Sequence, residues 1–209
     1  MFSGAAPLDG ETGEAAASRL HARMLQGYGM TELSPVSHAM VANRTDVPVS
    51  SIGELLPNVQ AKLVDVATGE EITEVGENGE TLPGELWVRG PNVMVGYLGR
   101  PDATAETLDA DGFLHTGDVA VYHAGGYFSI VDRVKELIKY KGYQIAPAEL
   151  EALLLSHPKV MDAACIGVLD DDKQEIPKAF VVAAPDSGLT AEEVMEFVAS
   201  HVAPHKKVR

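Results

Sequence analysis

Toward the C-terminus, apolar positions recur first at helical and then at strand spacing. In PAELEALLLSHP, Leu150, Leu153 and Leu154 fall on one helical face, with Pro147 in the first turn and Pro158 just past the end. Two apolar runs follow, VMDAACIGVL and IPKAFVVAA, joined by the acidic turn DDDKQ, and both read as strands. TAEEVMEFVASHV opens on a capping box of Thr190 and Glu193, after which Val194, Phe197 and Val198 repeat at helical spacing. The order helix, strand, strand, helix predicts a compact α+β unit.

Upstream the pattern differs. Residues 11–25, ETGEAAASRLHARML, are helix formers with acids early and Arg19, His21 and Arg23 late, which suits the helix dipole and predicts a helix running up to the glycine-flanked loop QGYGMTEL. The opening SGAAPL reads as the end of a strand entering a turn. From 45 to 131 the runs VQAKLVDV, GELWVRG and GGYFSIVD are rich in β-branched and aromatic residues and are separated by the turns ATGEE, GENGE, LPG and HAGG. They predict a small antiparallel β domain with three strands.

Composition narrows the function. A chain of 209 residues, 45% hydrophobic, buries one good core or two or three small ones. A formal net charge of −15 and a pI near 4.7 exclude binding to a phosphate backbone over a broad face, so no nucleic-acid partner is expected. The single cysteine, Cys165, lies in an apolar run; it forms no internal disulfide, reads as a buried structural thiol and fits a reducing cytoplasm. No window approaches a membrane span, and MFSGAAPLDGE lacks the basic and apolar regions of a secretory signal.

Three short segments carry candidate chemistry. In GYGMTE, Gly27 and Gly29 would let backbone approach a ligand, Tyr28 offers a flat face for a base, Thr31 can donate to a phosphate oxygen, and Glu32 is a hard oxygen ligand of the kind magnesium prefers. An ordinary glycine turn after a helix is the plainer alternative. In HTGD, Asp118 could accept both hydroxyls of a ribose or could close a turn on its own backbone. RVKELIKYK gathers Arg133, Lys135, Lys139 and Lys141, four of the 16 basic residues, into a solvated helical face or a local anion site. The sequence holds neither a GxSxG nucleophile signature nor a Walker A loop, nor a GxGxxG after a strand.

Taken in order, SGAAPL, QGYGMTE, GELWVRGPNVMVGYLGRP, GFLHTGD, GYFSIVDRVKELIKYKGYQIAPAELE and IPKAFVV resemble the adenylate-forming (AMP-binding) superfamily, in particular 4-coumarate–CoA ligases and related acyl-CoA synthetases. The resemblance implies a mixed fold. Residues 1–44 would end a large α/β domain, 45–131 would form its antiparallel, barrel-like β subdomain, 132–135 a hinge, and 136–209 an incomplete α+β C-terminal domain. It also implies ATP-dependent activation of a carboxylic acid to an acyl-adenylate, followed by transfer to coenzyme A. Carried over by position, Tyr28 with Gly27 and Gly29 lines the adenine, Thr31 contacts the phosphate and Glu32 helps hold Mg2+. Asp118 binds the ribose diol with help from Arg133, and Lys135 is the hinge residue. Lys139 and Gln144 face the adenylate, Gly142 lies beside the pantetheine tunnel, and Pro35 and Val36 line the acyl pocket.

Two family segments are missing. The phosphate loop, TSGTTGxPKG, has no counterpart, and the chain stops at PHKKVR before the PKxxxGK segment that carries the adenylation lysine. The expectation is a fragment, with Met1 an internal methionine or the start of a truncated reading frame, that makes no acyl-adenylate alone. Transfer to a carrier-protein phosphopantetheine and an inactive AMP-binding remnant are the alternatives, and the pocket positions suit either an aryl propenoate or a fatty acid.

Overall fold

The computed structural model describes residues 1–4, 8, 10–170 and 172–209. Its contacts divide the chain into two units, Met1–Ile130 and Val131–Arg209.

The first unit opens with β1 (Phe2–Ser3), α1 (Gly10–Leu20), β2 (Leu25–Gly29), a single 3-10 turn (Thr31–Leu33), β3 (Val36–Ala39) and β4 (Glu54–Leu55). The four strands form a sheet in the order β1-β2-β3-β4, parallel between β1 and β2 and antiparallel elsewhere. The turn expected from SGAAPL falls mostly outside the described residues. The first helix is shorter than its composition suggests. His21 adopts φ 48, a left-handed conformation that stops a helix, and Leu25 already pairs with Phe2. QGYG is therefore strand rather than loop, because its backbone hydrogen bonds are taken by both neighbours.

The second sheet collects β5 (Gln60–Val64), β6 (Glu71–Ile72), β7 (Gly84–Arg89), β8 (Leu114–His123) and β9 (Tyr127–Arg133) in the order β6-β5-β7-β8-β9, with α2 (Pro101–Thr107) between β7 and β8. Five strands stand where three were expected, since short β6 and the turn-like LHTGDV also pair. Along β7 burial alternates, with Gly84, Leu86 and Val88 inside and Glu85, Trp87 and Arg89 facing outward. Leu86 and Val88 join Leu33, Ile52, Leu63, Leu114, Ala120 and Phe128 in one core, which ties the 3-10 turn to the second sheet. The outer face is shielded by Trp87, on which the His115 ring stacks at 3.6 Å and the Lys62 ammonium sits at 4.7 Å.

The second unit contains β10 (Ile138–Tyr140), β11 (Tyr143–Ile145), α3 (Pro147–Leu155), β12 (Val160–Leu169), β13 (Glu175–Ala183) and α4 (Ala191–His201). RVKELIKYK forms no helical face. Arg133 ends β9, Val134–Glu136 is a turn, and Ile138–Tyr140 is one arm of the antiparallel hairpin β10–β11, closed by Lys141 (φ 50) and Gly142 (φ 84). Two successive positive φ values match the twist of a tight hairpin. The expected helix, strand, strand, helix follows. Leu150, Leu154, Val194 and Val198 meet Ile138, Ile145, Cys165 and Val208 in a second core. Thr190 caps α4 by accepting a hydrogen bond from the Glu193 amide at 3.2 Å. Burial, then the nearby Glu151 charge, pushes the Cys165 thiol up to about 12, so it stays protonated and inert.

The architecture is thus mixed α/β with several sheets, and no described helix is long and apolar enough to cross a membrane.

Candidate active site

The site in the first unit grows from the strand β2. Tyr28 lies opposite His38 on β3, and the two rings meet edge to face at 5.8 Å. His38 in turn meets Phe128 at 4.9 Å, and Ser37 Oγ lies 2.9 Å from its Nδ1. The imidazole is fully buried, its Nε2 has no hydrogen-bond partner, and burial lowers its pKa to about 3. It is a neutral wall behind the tyrosine.

A bulge brings the second segment to the first. The pairing of β7 with β8 slips between Glu85 and Trp87, and around this slip the chain is pinned by three bonds: Thr116 Oγ1 donates to Leu86 O (2.6 Å), the Gly117 amide to Glu85 Oε1 (3.0 Å) and the Asp118 amide to Thr116 Oγ1 (3.1 Å). Gly117 takes φ 74, open to glycine at little cost. Bulges re-aim side chains. Here the Asp118 carboxylate accepts a hydrogen bond from the Tyr28 hydroxyl at 2.5 Å. Asp118 lies within the ten-residue strand β8.

The glycines of GYG also answer to packing within the protein. A Cβ on Gly29 would lie 1.8 Å from Pro35 O, and one on Gly27 would lie 2.8 Å from the Phe2 ring. At Gly29 the obstacle is the Pro35 backbone, so glycine is demanded there by the folding of Pro35 against β2, whereas at Gly27 it is the tip of the exposed Phe2 ring, which can turn aside. After Gly29 the chain enters the 3-10 turn with Thr31 exposed and Glu32 half-buried, and then passes Pro35 and Val36 into β3.

One further loop reaches this segment. The Tyr97 hydroxyl donates to Glu32 Oε1 at 2.7 Å, the Met94 amide donates to Glu32 O at 2.8 Å, and Asn92 Nδ2 donates to Leu33 O and Val36 O, both at 2.9 Å. The bond to Glu32, followed by burial, raises the Tyr97 pKa, so the phenol remains a donor. Asn92, Tyr97 and His38 were not singled out from the sequence. Asn92 and Tyr97 lie within the quoted segment GPNVMVGYLGRP, whereas a lone histidine in VSHAM carries no local signal.

In the second unit Lys139 and Gln144 are direct cross-strand partners on the hairpin, both exposed, so their side chains share one face. The Lys139 amide donates to Glu175 Oε2 at 2.7 Å, which fixes the backbone under the ammonium. Gly142 sits in the hairpin turn with nothing within 4 Å of an added Cβ. Arg133 ends β9, and Lys135 is exposed in the following turn. Buried Asp132 accepts hydrogen bonds from the amides of Arg133 (2.7 Å) and Ala148 (3.2 Å), tying this turn to the start of α3.

Among the described residues no group of three or more His, Cys, Asp or Glu side chains could hold a metal. A cation here would rest on Glu32 and on oxygens brought by a ligand, the manner in which magnesium is bound beside phosphates.

Comparison with known proteins identifies the family. Residues 1–98 match the AMP-binding enzyme family and residues 149–209 the AMP-binding enzyme C-terminal domain. The chain is 47% identical to 4-coumarate–CoA ligase-like 6 of Oryza sativa subsp. japonica, over 99% of this chain and 34% of that protein. It is 45% identical to luciferin 4-monooxygenase of Photinus pyralis, over 100% of this chain and 37% of that one. The crystal structure of ATP-bound MatB from Rhodopseudomonas palustris is similar with a TM-score of 0.88 at 30% identity, over 100% of this chain and 40% of that chain. The chain spans about a third of the length of the curated relatives it matches (34% and 37%). With both matches in order along it, the chain belongs to the AMP-binding enzyme family, carrying that family's C-terminal domain after the AMP-binding segment.

Proposed function

We propose that this chain is part of an acid–CoA ligase that activates a carboxylic acid with ATP and passes the acyl group to coenzyme A. In the first half-reaction the carboxylate attacks the α-phosphate of ATP and pyrophosphate leaves. In the second the coenzyme A thiol attacks the acyl-adenylate and AMP leaves. The observation that carries the reading is the bond between Tyr28 and Asp118. It joins QGYGMTE to HTGD as one nucleoside site, with the tyrosine ring for adenine and the carboxylate oxygens for the ribose diol.

Thr31 then donates to the adenylate phosphate, and Glu32 holds the divalent cation. Mg2+, when bound, neutralises charge on the phosphate oxygens. Lys139 and Gln144, side by side on their hairpin, supply a cation and an amide for the adenylate, and Arg133 supplies a cation for the ribose. Lys135 is the hinge, Gly142 borders the pantetheine, and Pro35 and Val36 line a pocket suited to an aryl propenoate or a fatty acid. Relatives named as 4-coumarate–CoA ligases support free coenzyme A as the acceptor. A cytoplasmic protein is the reading that the lone thiol supports.

Because the sequence holds neither the phosphate loop nor the adenylation lysine, and losing a single positioned donor already costs roughly 10²–10³ in rate, the chain by itself should give no carboxylate-dependent ATP–pyrophosphate exchange. The decisive experiment is calorimetric titration of AMP into the purified chain and its Asp118→Ala variant. Saturable binding that the substitution weakens at least about tenfold, the worth of hydrogen bonds to a charged group, supports the reading. Equal binding by both proteins, or none by either, overturns it.

A further inference from the structure

The loop between β7 and α2 is bonded to the Thr31–Val36 segment at four points, and one of them touches the carboxylate itself. Tyr97 donates to Glu32 Oε1 at 2.7 Å while its own amide donates to Thr104 Oγ1 at 2.9 Å. Thr104 Oγ1 also donates to Arg100 O at 2.9 Å, so the tyrosine backbone is anchored on the first turn of α2. The Glu32 backbone is fixed independently by the Met94 amide at 2.8 Å. Asn92 bridges Leu33 O and Val36 O, and this geometry leaves its Oδ1 buried without a partner. A buried unpaired oxygen is costly, and the bridging amide offsets it by holding the segment's shape. Glu32 is thus held at both its backbone and one carboxylate oxygen.

This restricts what the carboxylate can do. An oxygen that accepts a phenolic hydrogen bond is a weaker and less accessible ligand, so Oε2 is left as the oxygen for a cation. Mg2+ binds one oxygen of a carboxylate in a tight octahedron, whereas Ca2+ is larger and gains from bidentate carboxylates. We propose that Tyr97 is a positioning residue that sets the cation preference of the site, holding Glu32 to single-oxygen ligation and so favouring Mg2+ over Ca2+. The inference rests on the reading that Glu32 carries the nucleotide's divalent cation.

The test is calorimetric titration of ATP into the wild-type chain, Tyr97→Phe and Glu32→Gln, each in Mg2+, in Ca2+ and in EDTA. Expected is tighter binding of wild type in Mg2+ than in Ca2+, a ratio that Tyr97→Phe lowers about fivefold, the worth of one net hydrogen bond, with affinity in EDTA unchanged. An unchanged ratio in Tyr97→Phe, alongside loss of cation dependence in Glu32→Gln, overturns the role of Tyr97 and leaves the cation reading standing. Cation dependence that persists in Glu32→Gln, or is absent from wild type, overturns both. Ultraviolet titration of the six tyrosines checks the contact without nucleotide. Glu32→Gln should move one ionisation to lower pH, and no such shift should occur in a Tyr97→Phe background.

Discussion

The Tyr28 hydroxyl donates to Asp118 Oδ2 at 2.5 Å across 90 residues of sequence. The bond orients the carboxylate and, with His38 behind the ring, fixes the plane of the tyrosine. Tyr28→Phe keeps the ring and removes the hydroxyl that forms the tether. We expect AMP binding to weaken about tenfold, the worth of a hydrogen bond to a charged group, with the far-ultraviolet circular dichroism unchanged. Calorimetry on the variant decides this, and wild-type affinity would show that the carboxylate needs no such tether.

Two glycines of the candidate site should respond differently to alanine. At Gly29 a methyl would meet Pro35 O at 1.8 Å, so β2 and β3 must part, at a cost of about 1–3 kcal/mol or more. At Gly142 the space is open and only the left-handed backbone, φ 84, is penalised, by about 1–2 kcal/mol. Urea unfolding followed by the single tryptophan, Trp87, should show a clearly lowered midpoint for Gly29→Ala and a smaller change for Gly142→Ala.

Buried His38 predicts acid sensitivity of the first unit. Its pKa is about 3 in the folded protein against an ordinary 6.5. Above pH 6.5 the imidazole is neutral in both states and the site costs nothing. As pH falls below 6.5 the unfolded chain takes up a proton that the folded chain refuses, so stability declines by up to about 1.4 kcal/mol per pH unit until pH nears 3. His38→Leu lacks this term. Its stability, measured by urea unfolding at pH 7 and pH 5, should drop less on acidification than that of wild type.

Cys165 is 4% exposed and its thiol is held protonated by burial, with a pKa of about 12. Disulfide-exchange reagents attack through the thiolate, so the native chain should react with 5,5′-dithiobis(2-nitrobenzoate) only as the second unit opens. Thr190→Ala, which removes the cap of α4 and costs about 1 kcal/mol, should speed labelling severalfold. Fast labelling of the native protein that is insensitive to Thr190→Ala would place the thiol outside the core.

Much of the second unit was legible in its pattern of apolar positions. Leu150, Leu154, Val194 and Val198 are buried as their spacing required, and the Thr190 cap forms as its local motif dictates. The failures share a cause. RVKELIKYK has helix-forming composition, but Ile138 and Ile145 reach the core only as opposed hairpin residues, and that pairing is invisible to a helical period. QGYG looked like a loop because glycine breaks propensity, yet β1 and β3 supply partners for its backbone.

By itself the sequence determined the family, through the order of its motifs; residue type and spacing are local properties that survive without coordinates. Only the tertiary structure decided that Asp118 meets Tyr28, that Gly29 makes room for Pro35, and that Tyr97 holds Glu32. Those relationships depend on strand register and on a bulge in β8, which arise from pairing between distant segments and leave no periodic trace along the chain.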